Sequence, residues 1–265
     1  MTVQIDLKGK TAVVLGGGRG LGKEIASVLS EAGANIFIGN RKEEESKESV
    51  ASMEEIGVKA GYHTVDIVED KGVEEFFAAA KDFGGGNIDI VIQNAGVIET
   101  DPLLEIDGDK GKKVFEVNAV GTAIVLKHAL KHMKEQGYGK IVTIASIAGQ
   151  NAMGMLEHYS ASKAAVISLT KNAAKLGAPE HINVNGISPG IIRTNMWEEI
   201  LDSLTDGDNE NKDRDEVFDE NVKEIIPFGV AQTERDIANT ALYLCSDLAK
   251  EVTGQIIAVD GGTSI

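Results

Sequence analysis

The 265-residue chain holds one cysteine, Cys245, so it has no internal disulfide and no cysteine-based metal cluster, and nothing in it asks for an oxidising compartment. A cytoplasmic location is expected, and no metal. Prolines number only four, and no Pro/Gly/Ser-rich tract divides the chain, which reads as one domain spanning 1–265. Long hydrophobic runs are missing: the longest are strand-sized, too short to cross a bilayer. Met1 to Lys10 mixes polar and charged residues, and the apolar run that follows breaks at Gly16, unlike a signal sequence. Basic residues are outnumbered 26 to 42 by acids, a formal net charge of −16, which repels nucleic acid and anionic membrane surfaces and leaves a small molecule as the expected partner. The basic set is mostly lysine, with only five arginines, so the acidity is not the lysine-poor kind that extreme salt selects. What is present, 42% hydrophobic residues, is ordinary for a chain with a buried core.

Apolar runs of five to seven residues recur, each followed by a longer stretch with helical spacing, the signature of βαβ units on a parallel sheet. The strands are expected at Thr11 to Leu15, Asn35 to Gly39, Lys59 to Val65, Ile88 to Gln93, Lys140 to Ala145, Ile182 to Ile187 and Gln255 to Val259. Several are unbroken Val/Ile runs, which implies helices covering both faces of the sheet. Helices are expected at about Gly20 to Gly33, Glu43 to Gly57, Lys71 to Asp82, Asp109 to Gln136, Tyr159 to Leu176 and Glu234 to Ser246. The fold class is therefore α/β, a doubly wound Rossmann-type domain with a seven-stranded parallel sheet. One segment breaks the composition: Glu198 to Glu220 sets eleven acids against Lys212 and Arg214, a surface insertion read as solvated helix and loop.

The first strand runs into Gly16-Gly17-Gly18-Arg19-Gly20-Leu21-Gly22 and then a helix. Glycines at that junction let a backbone turn tightly and approach a pyrophosphate at a helix N-terminus, with Gly16, Gly20 and Gly22 as the cradle. At the end of the second strand, where a carboxylate would bond the adenosine ribose of NAD, Asn40 stands instead and Arg41 follows. With Arg19 reaching from the turn, two guanidiniums are available for a 2′-phosphate, so NADP(H) is the expected cofactor.

Tyr159 and Lys163 lie one helical turn apart at the start of the run Tyr159-Ser160-Ala161-Ser162-Lys163-Ala164-Ala165, which stacks an ammonium near a phenol. That charge, together with an oxidised nicotinamide, is expected to favour the phenolate and bring proton transfer toward working pH. Ser146 follows the fifth strand at the carboxyl edge of the sheet, where open α/β folds bind ligands, and its hydroxyl is placed to hold a substrate oxygen.

Together with Asp66, Asn94-Ala95-Gly96, Asn118, Pro189-Gly190, Thr194, Thr253-Gly254-Gln255 and Asp260-Gly261-Gly262, these motifs run in order along nearly the whole chain, which resembles a short-chain dehydrogenase/reductase. The resemblance implies that Tyr159 is the general acid/base, that Ser146 orients and polarises the carbonyl, that Lys163 holds the nicotinamide ribose and lowers the tyrosine pKa, and that Asn118 supports a water in the proton relay. It further implies cofactor contacts at Gly18, Leu21, Asp66, Ile67, Asn94, Ala95 and Gly96, with Pro189, Gly190, Ile192 and Thr194 at the nicotinamide end. A homotetramer, or sometimes a dimer, is usual for the family. Leu15 and Gln93 depart from the usual threonine and asparagine, so contacts around the turn are expected to rearrange, and Asn183 replaces a common arginine with a local change in packing.

On the substrate side, Thr194 to Pro227 is a long connection, read as a lid insertion at about 195–226. Met196, Trp197, Ile200, Leu201 and Leu204 alternate with acids at helical spacing, an apolar face for either a hydrophobic substrate or the core. Met153, Met155 and Leu156 add an apolar wall ahead of Tyr159. The features resemble members that interconvert a secondary alcohol and a ketone on bulky alicyclic substrates such as hydroxysteroids. Two alternatives stay open: a 3-oxoacyl thioester reductase that docks an acyl carrier protein on Lys127, Lys131 and Lys134, and a catalytically silent NADP(H)-binding sensor.

Overall fold

The computed structural model describes residues 4–100, 102–194, 197, 198, 200 and 213–265. Seven strands form one sheet: β1 (Thr11–Leu15), β2 (Asn35–Asn40), β3 (Ala60–Thr64), β4 (Ile90–Gln93), β5 (Gly139–Ile144), β6 (Ile182–Pro189) and β7 (Ile256–Val259). Their order is β3-β2-β1-β4-β5-β6-β7 and every pairing is parallel. The helices between them are α1 (Gly20–Glu31), α2 (Glu43–Ile56), α3 (Asp70–Phe83), α4 (Gly108–Phe115), α5 (Thr122–Gln136), α6 (Glu157–Gly177), α7 (Arg214–Ile225) and α8 (Glu234–Cys245).

Successive strand residues point to opposite faces, and the sheet accordingly separates two cores. Val14, Ile36, Ile38 and Ile92 meet Ile25 and Leu29 of α1 and Ile237 and Leu244 of α8. On the other face Val13, Leu15, Phe37 and Val91 meet Phe76 and Phe77 of α3 and Val125 and Met133 of α5. All of these strand residues are buried, which is why the strands read as continuous apolar runs. Cys245 is buried at the end of α8, and burial pushes its thiol up to about 12, leaving it a small hydrophobe.

Three expectations change. The helix expected over Asp109 to Gln136 is interrupted by a π-turn at Glu116–Gly121, between α4 and α5. The acidic segment includes the regular helix α7, capped by the Asp213 carboxylate, which accepts the Asp215 N–H at 2.7 Å. Its Val217, Phe218 and Val222 are buried, so it is not a purely solvated face. Strand ends also retreat: β3 and β4 begin at Ala60 and Ile90, and β7 at Ile256. Asn183 does act locally: its Oδ1 accepts the buried Lys140 Nζ at 2.7 Å, while its amide donates to the Lys250 and Val252 carbonyls.

Phe76 is fully buried, tilted against Phe37 at 5.5 Å and edge-on to Phe77 at 5.6 Å. Phe76→Ala is expected to lower unfolding stability by about 3–5 kcal/mol in denaturant titration. A loss under about 1 kcal/mol would contradict this account of the core.

Candidate active site

In a sheet of this order the chain leaves β1 in one direction and β4 in the other, opening a crevice beyond the carboxyl ends of the two strands. The glycine turn builds its first wall. Gly16 adopts φ +75°, a left-handed conformation that other residues enter only with strain. A Cβ on Gly22 would stand 2.0 Å from the Gly16 carbonyl oxygen, so only glycine lets α1 start this close to the strand end. Asn94 ties the same carbonyl with an amide donor at 3.0 Å. Gly18 and Gly22 permit these approaches without lining the cavity, which Gly16, Arg19, Gly20 and Leu21 do line. No side chain caps the N-terminus of α1 and no acid stands in its first turn, so its orphan N–H groups suit an anion. Gln93 steadies the region in place of the usual asparagine, its amide donating to the Ala95 carbonyl and the Thr122 hydroxyl, both at 3.1 Å.

The second wall comes from β5 and α6. Ser146 leaves β5 in extended conformation and its Oγ accepts the Ala148 N–H at 3.1 Å. The Tyr159 hydroxyl is hydrogen-bonded to the Ser146 side chain. Lys163, one turn along α6, donates to the Ile144 carbonyl at 2.9 Å and lies 5.6 Å from the centroid of the Tyr159 ring. Both side chains are buried, Tyr159 at 7% and Lys163 at 4% exposure, yet both line the cavity. Burial pushes the phenol up to about 12, against the Ser146 bond that pulls it down, and pushes the ammonium down to about 8. Among the protein groups alone desolvation outweighs the neighbouring ammonium and keeps Tyr159 a protonated donor; the expected pull toward the phenolate also invokes an oxidised nicotinamide.

Asn118 sits on the π-turn, a distortion frequent at functional sites. Its Oδ1 accepts the Val97 N–H at 2.8 Å, and its amide donates to the Val97 carbonyl at 2.8 Å and the Ser162 hydroxyl at 2.9 Å. The side chain thus braces the loop after β4 against α6.

The cavity, about 460 Å³, runs from Arg19, Asn40, Arg41 and Asp66 at one end, past Ile67, Asn94, Ala95 and Gly96, to Pro189, Gly190, Ile192 and Thr194 at the other. Beyond Tyr159 its wall is apolar: Ile98, Met153, Leu156, Trp197 and Ile200. Of the three residues expected there, Met153 and Leu156 line the wall and Met155 does not; it holds φ +65° in the turn before α6. Met196, Leu201 and Leu204 lie outside the described residues. Trp197 also packs edge-on against Phe218 at 6.1 Å, so it serves cavity and core together. Sequence reasoning missed Lys42 and Glu45, which line the basic end; nothing separates them from an ordinary charged helix start until α2 is seen against the glycine turn.

A dinucleotide fits these walls: close-packed glycines and uncapped N–H groups for the pyrophosphate, cations at the ribose end, and at the other end a buried ammonium with three donors that, among the described residues, meets one acceptor, the Ile144 carbonyl. A family model described as enoyl-(acyl carrier protein) reductase matches residues 16–264. The chain belongs to the short-chain dehydrogenase/reductase family. It is 33% identical over 264 residues to the 3-oxoacyl-[acyl-carrier-protein] reductase FabG of Aquifex aeolicus, covering 98% of this chain and 99% of the relative. Among solved structures it resembles NAD+-bound xylitol dehydrogenase (TM-score 0.90, 29% identity, 97% and 99% of the two chains covered) and actinorhodin polyketide ketoreductase with NADPH (TM-score 0.90, 31% identity, 96% and 97% covered). It is a nicotinamide-dependent oxidoreductase that interconverts alcohols and ketones.

A pH dependence follows from the two buried groups. Lys163 is charged below about 8 and neutral above, while Tyr159 stays protonated to about 12. In ketone reduction, kcat/KM should hold a plateau below pH 8 and decline above it. A pH–rate profile flat from 7 to 10 would exclude a role for the ammonium.

Proposed function

We propose that the enzyme reduces a bulky apolar ketone, an alicyclic one such as a steroid ketone, to the secondary alcohol with NADPH, and runs the reverse reaction with NADP+. The observation that carries the reaction is the buried phenol of Tyr159, protonated, bonded to Ser146 and facing the cavity. When bound, the nicotinamide supplies or takes up a hydride. Ser146 Oγ and Tyr159 Oη converge on the carbonyl oxygen, Ser146 donating a hydrogen bond to it and Tyr159 transferring its proton to it as charge develops. Lys163 Nζ stabilises the phenolate that remains and holds ribose hydroxyls, and the Asn118 brace keeps α6 in register for a solvent relay that restores the proton. In the alcohol direction the same groups take the proton up.

The apolar wall of Ile98, Met153, Leu156, Trp197 and Ile200 supports a substrate with a large hydrophobic body; of the lid segment expected at about 195–226, residues 201–212 lie outside the described residues. The cations Arg19, Arg41 and Lys42 at the ribose end support NADP(H). The FabG relative keeps a second reading in view, reduction of a 3-oxoacyl thioester. Its expected docking patch is neutralised, however: Lys127, Lys131 and Lys134 pair with Asp70, Glu74 and Glu180. The intact Ser146, Tyr159 and Lys163 argue against a silent sensor. A homotetramer or dimer would give the exposed apolar side chains Leu104, Val120 and Phe228 surfaces to pack against.

Mixing the protein with NADPH and a panel of ketones, including steroid ketones, and following the reduced cofactor tests this reading. Tyr159→Phe is expected to lower kcat by about 10² to 10⁴-fold while NADPH still binds; turnover that persists would refute the proton role. Arg19→Ser combined with Arg41→Asp should move the NADP(H)/NAD(H) preference at least about tenfold toward NAD(H). An unchanged ratio would remove the basis for NADP(H).

A further inference from the structure

The ribose end of the cavity carries an acid that the end of β2 lacks. Three acids open α2. Glu43 and Glu44 turn to Lys47 at 3.3 and 2.9 Å, and Glu43 also accepts the Tyr62 hydroxyl. Glu45 is the one of the three that lines the cavity. Its Oε2 accepts the Asn40 amide at 3.0 Å, and its Oε1 lies 3.1 Å from Lys42 Nζ and 3.7 Å from Arg19 Nη1. The side chain is 23% exposed, and two cations and an amide from three separate positions converge on it. Arg41 lines the same end and lies 3.8 Å from a different acid, Asp66. The Glu45 carboxylate thus holds Arg19 and Lys42, two of the three cations read as 2′-phosphate ligands.

A carboxylate and a phosphate cannot share the same cations closely without like-charge repulsion, whereas a ribose hydroxyl can donate to the carboxylate. Burial pushes the Glu45 carboxyl up, but the Asn40 amide, Lys42 and Arg19 outweigh it and hold it below the usual carboxylate range, so the charge is there to compete. The N-terminal turn of α2 favours the same charge.

We propose that Glu45 is a cofactor-discriminating residue: its carboxylate occupies the cations of the ribose end, accepts the 2′-hydroxyl of NAD(H), and must be displaced by the 2′-phosphate of NADP(H). The inference rests on the reading that this cationic end receives the 2′-phosphate. It adds that the affinity for NADP(H) is held below what the cations alone would give, and that NAD(H) is also accepted.

Direct binding measurements separate the two. Dissociation constants are measured calorimetrically for NADP+, NAD+, adenosine 2′,5′-bisphosphate and 5′-AMP, on the intact protein and on its Glu45→Gln and Glu45→Ala variants. Both variants should bind the 2′-phosphorylated pair about tenfold more tightly and the unphosphorylated pair several-fold more weakly. Movement in opposite directions is a signature that partial unfolding or general loosening cannot produce. If the unsubstituted protein prefers the 2′-phosphorylated pair and neither variant changes the ratio, the Glu45 role is overturned and the NADP(H) reading stands. If the unsubstituted protein rejects the 2′-phosphorylated pair and the variants admit it, the Glu45 role is upheld and the NADP(H) reading is overturned. Rejection by all three proteins overturns both.

Discussion

A lysine buried without a carboxylate partner organises this site. The Lys163 ammonium is in the interior, its described protein partner is the Ile144 carbonyl, and no acid lies within ion-pair reach among the described residues. Burying such a charge is costly, and the protein answers in two ways. The ammonium is easier to discharge than an exposed one, and neighbouring segments pack closely around it. A Cβ on Gly149 would stand 2.7 Å from the Lys163 carbonyl carbon, so the turn after Ser146 lies directly on α6. Asn118 braces the other side through Val97 and Ser162. Remaining donors of the ammonium are best met by hydroxyl oxygens of a bound ligand, which makes ligand binding and relief of the buried charge one event.

Tyr159 shares that dry environment with the opposite consequence. Desolvation acts against whichever form is charged, so it holds the phenol protonated and loosens the proton on the neighbouring amine. The pair is therefore polarised toward donation, the condition that ketone reduction needs at its outset. Along the same crevice the character changes from apolar at Trp197 and Leu156 to cationic and partly solvated at Arg19 and Lys42, so its two ends lie in different dielectric regimes.

Much of this was legible in the sequence because it is local. Strands announce themselves as apolar runs, and the Tyr159–Lys163 turn depends only on helical spacing. What escaped depends on approach between distant segments. Glu45 looks like any acid in a helix's first turn until α2 is placed against Arg19. The direction of the phenol's shift could not be read from the neighbouring lysine, since burial is a property of the assembled walls. The π-turn inserts one irregularity into a stretch whose apolar period is otherwise helical. Met155 has the chemistry of a pocket residue, but the turn before α6 takes it through φ +65° and out of the lining.

The apolar wall has a different kind of support from the chemistry it faces. Ser146, Tyr159 and Lys163 stand on or beside β5 and α6, deep in hydrogen-bonded structure. Trp197 follows Thr194, whose carbonyl accepts the Trp197 N–H at 2.9 Å, and its ring leans on Phe218 of α7. That contact is fastened by two of the five arginines: Arg193 stacks over the Phe218 ring at 5.1 Å and pairs with Glu198 and Asp215, and Arg214 reaches Glu198 at 2.9 Å. Exposed ion pairs hold weakly one by one, roughly 0–1 kcal/mol each, and are screened by salt. Their value lies in sharing: one carboxylate, Glu198, joins two guanidiniums and through them fixes the angle between α7 and the turn that carries Trp197. A surface network thus supports the apolar wall, while Ser146, Tyr159 and Lys163 are set by the core. Substitutions at Arg193, Glu198 or Arg214 are therefore expected to reshape the apolar wall without moving Ser146, Tyr159 and Lys163.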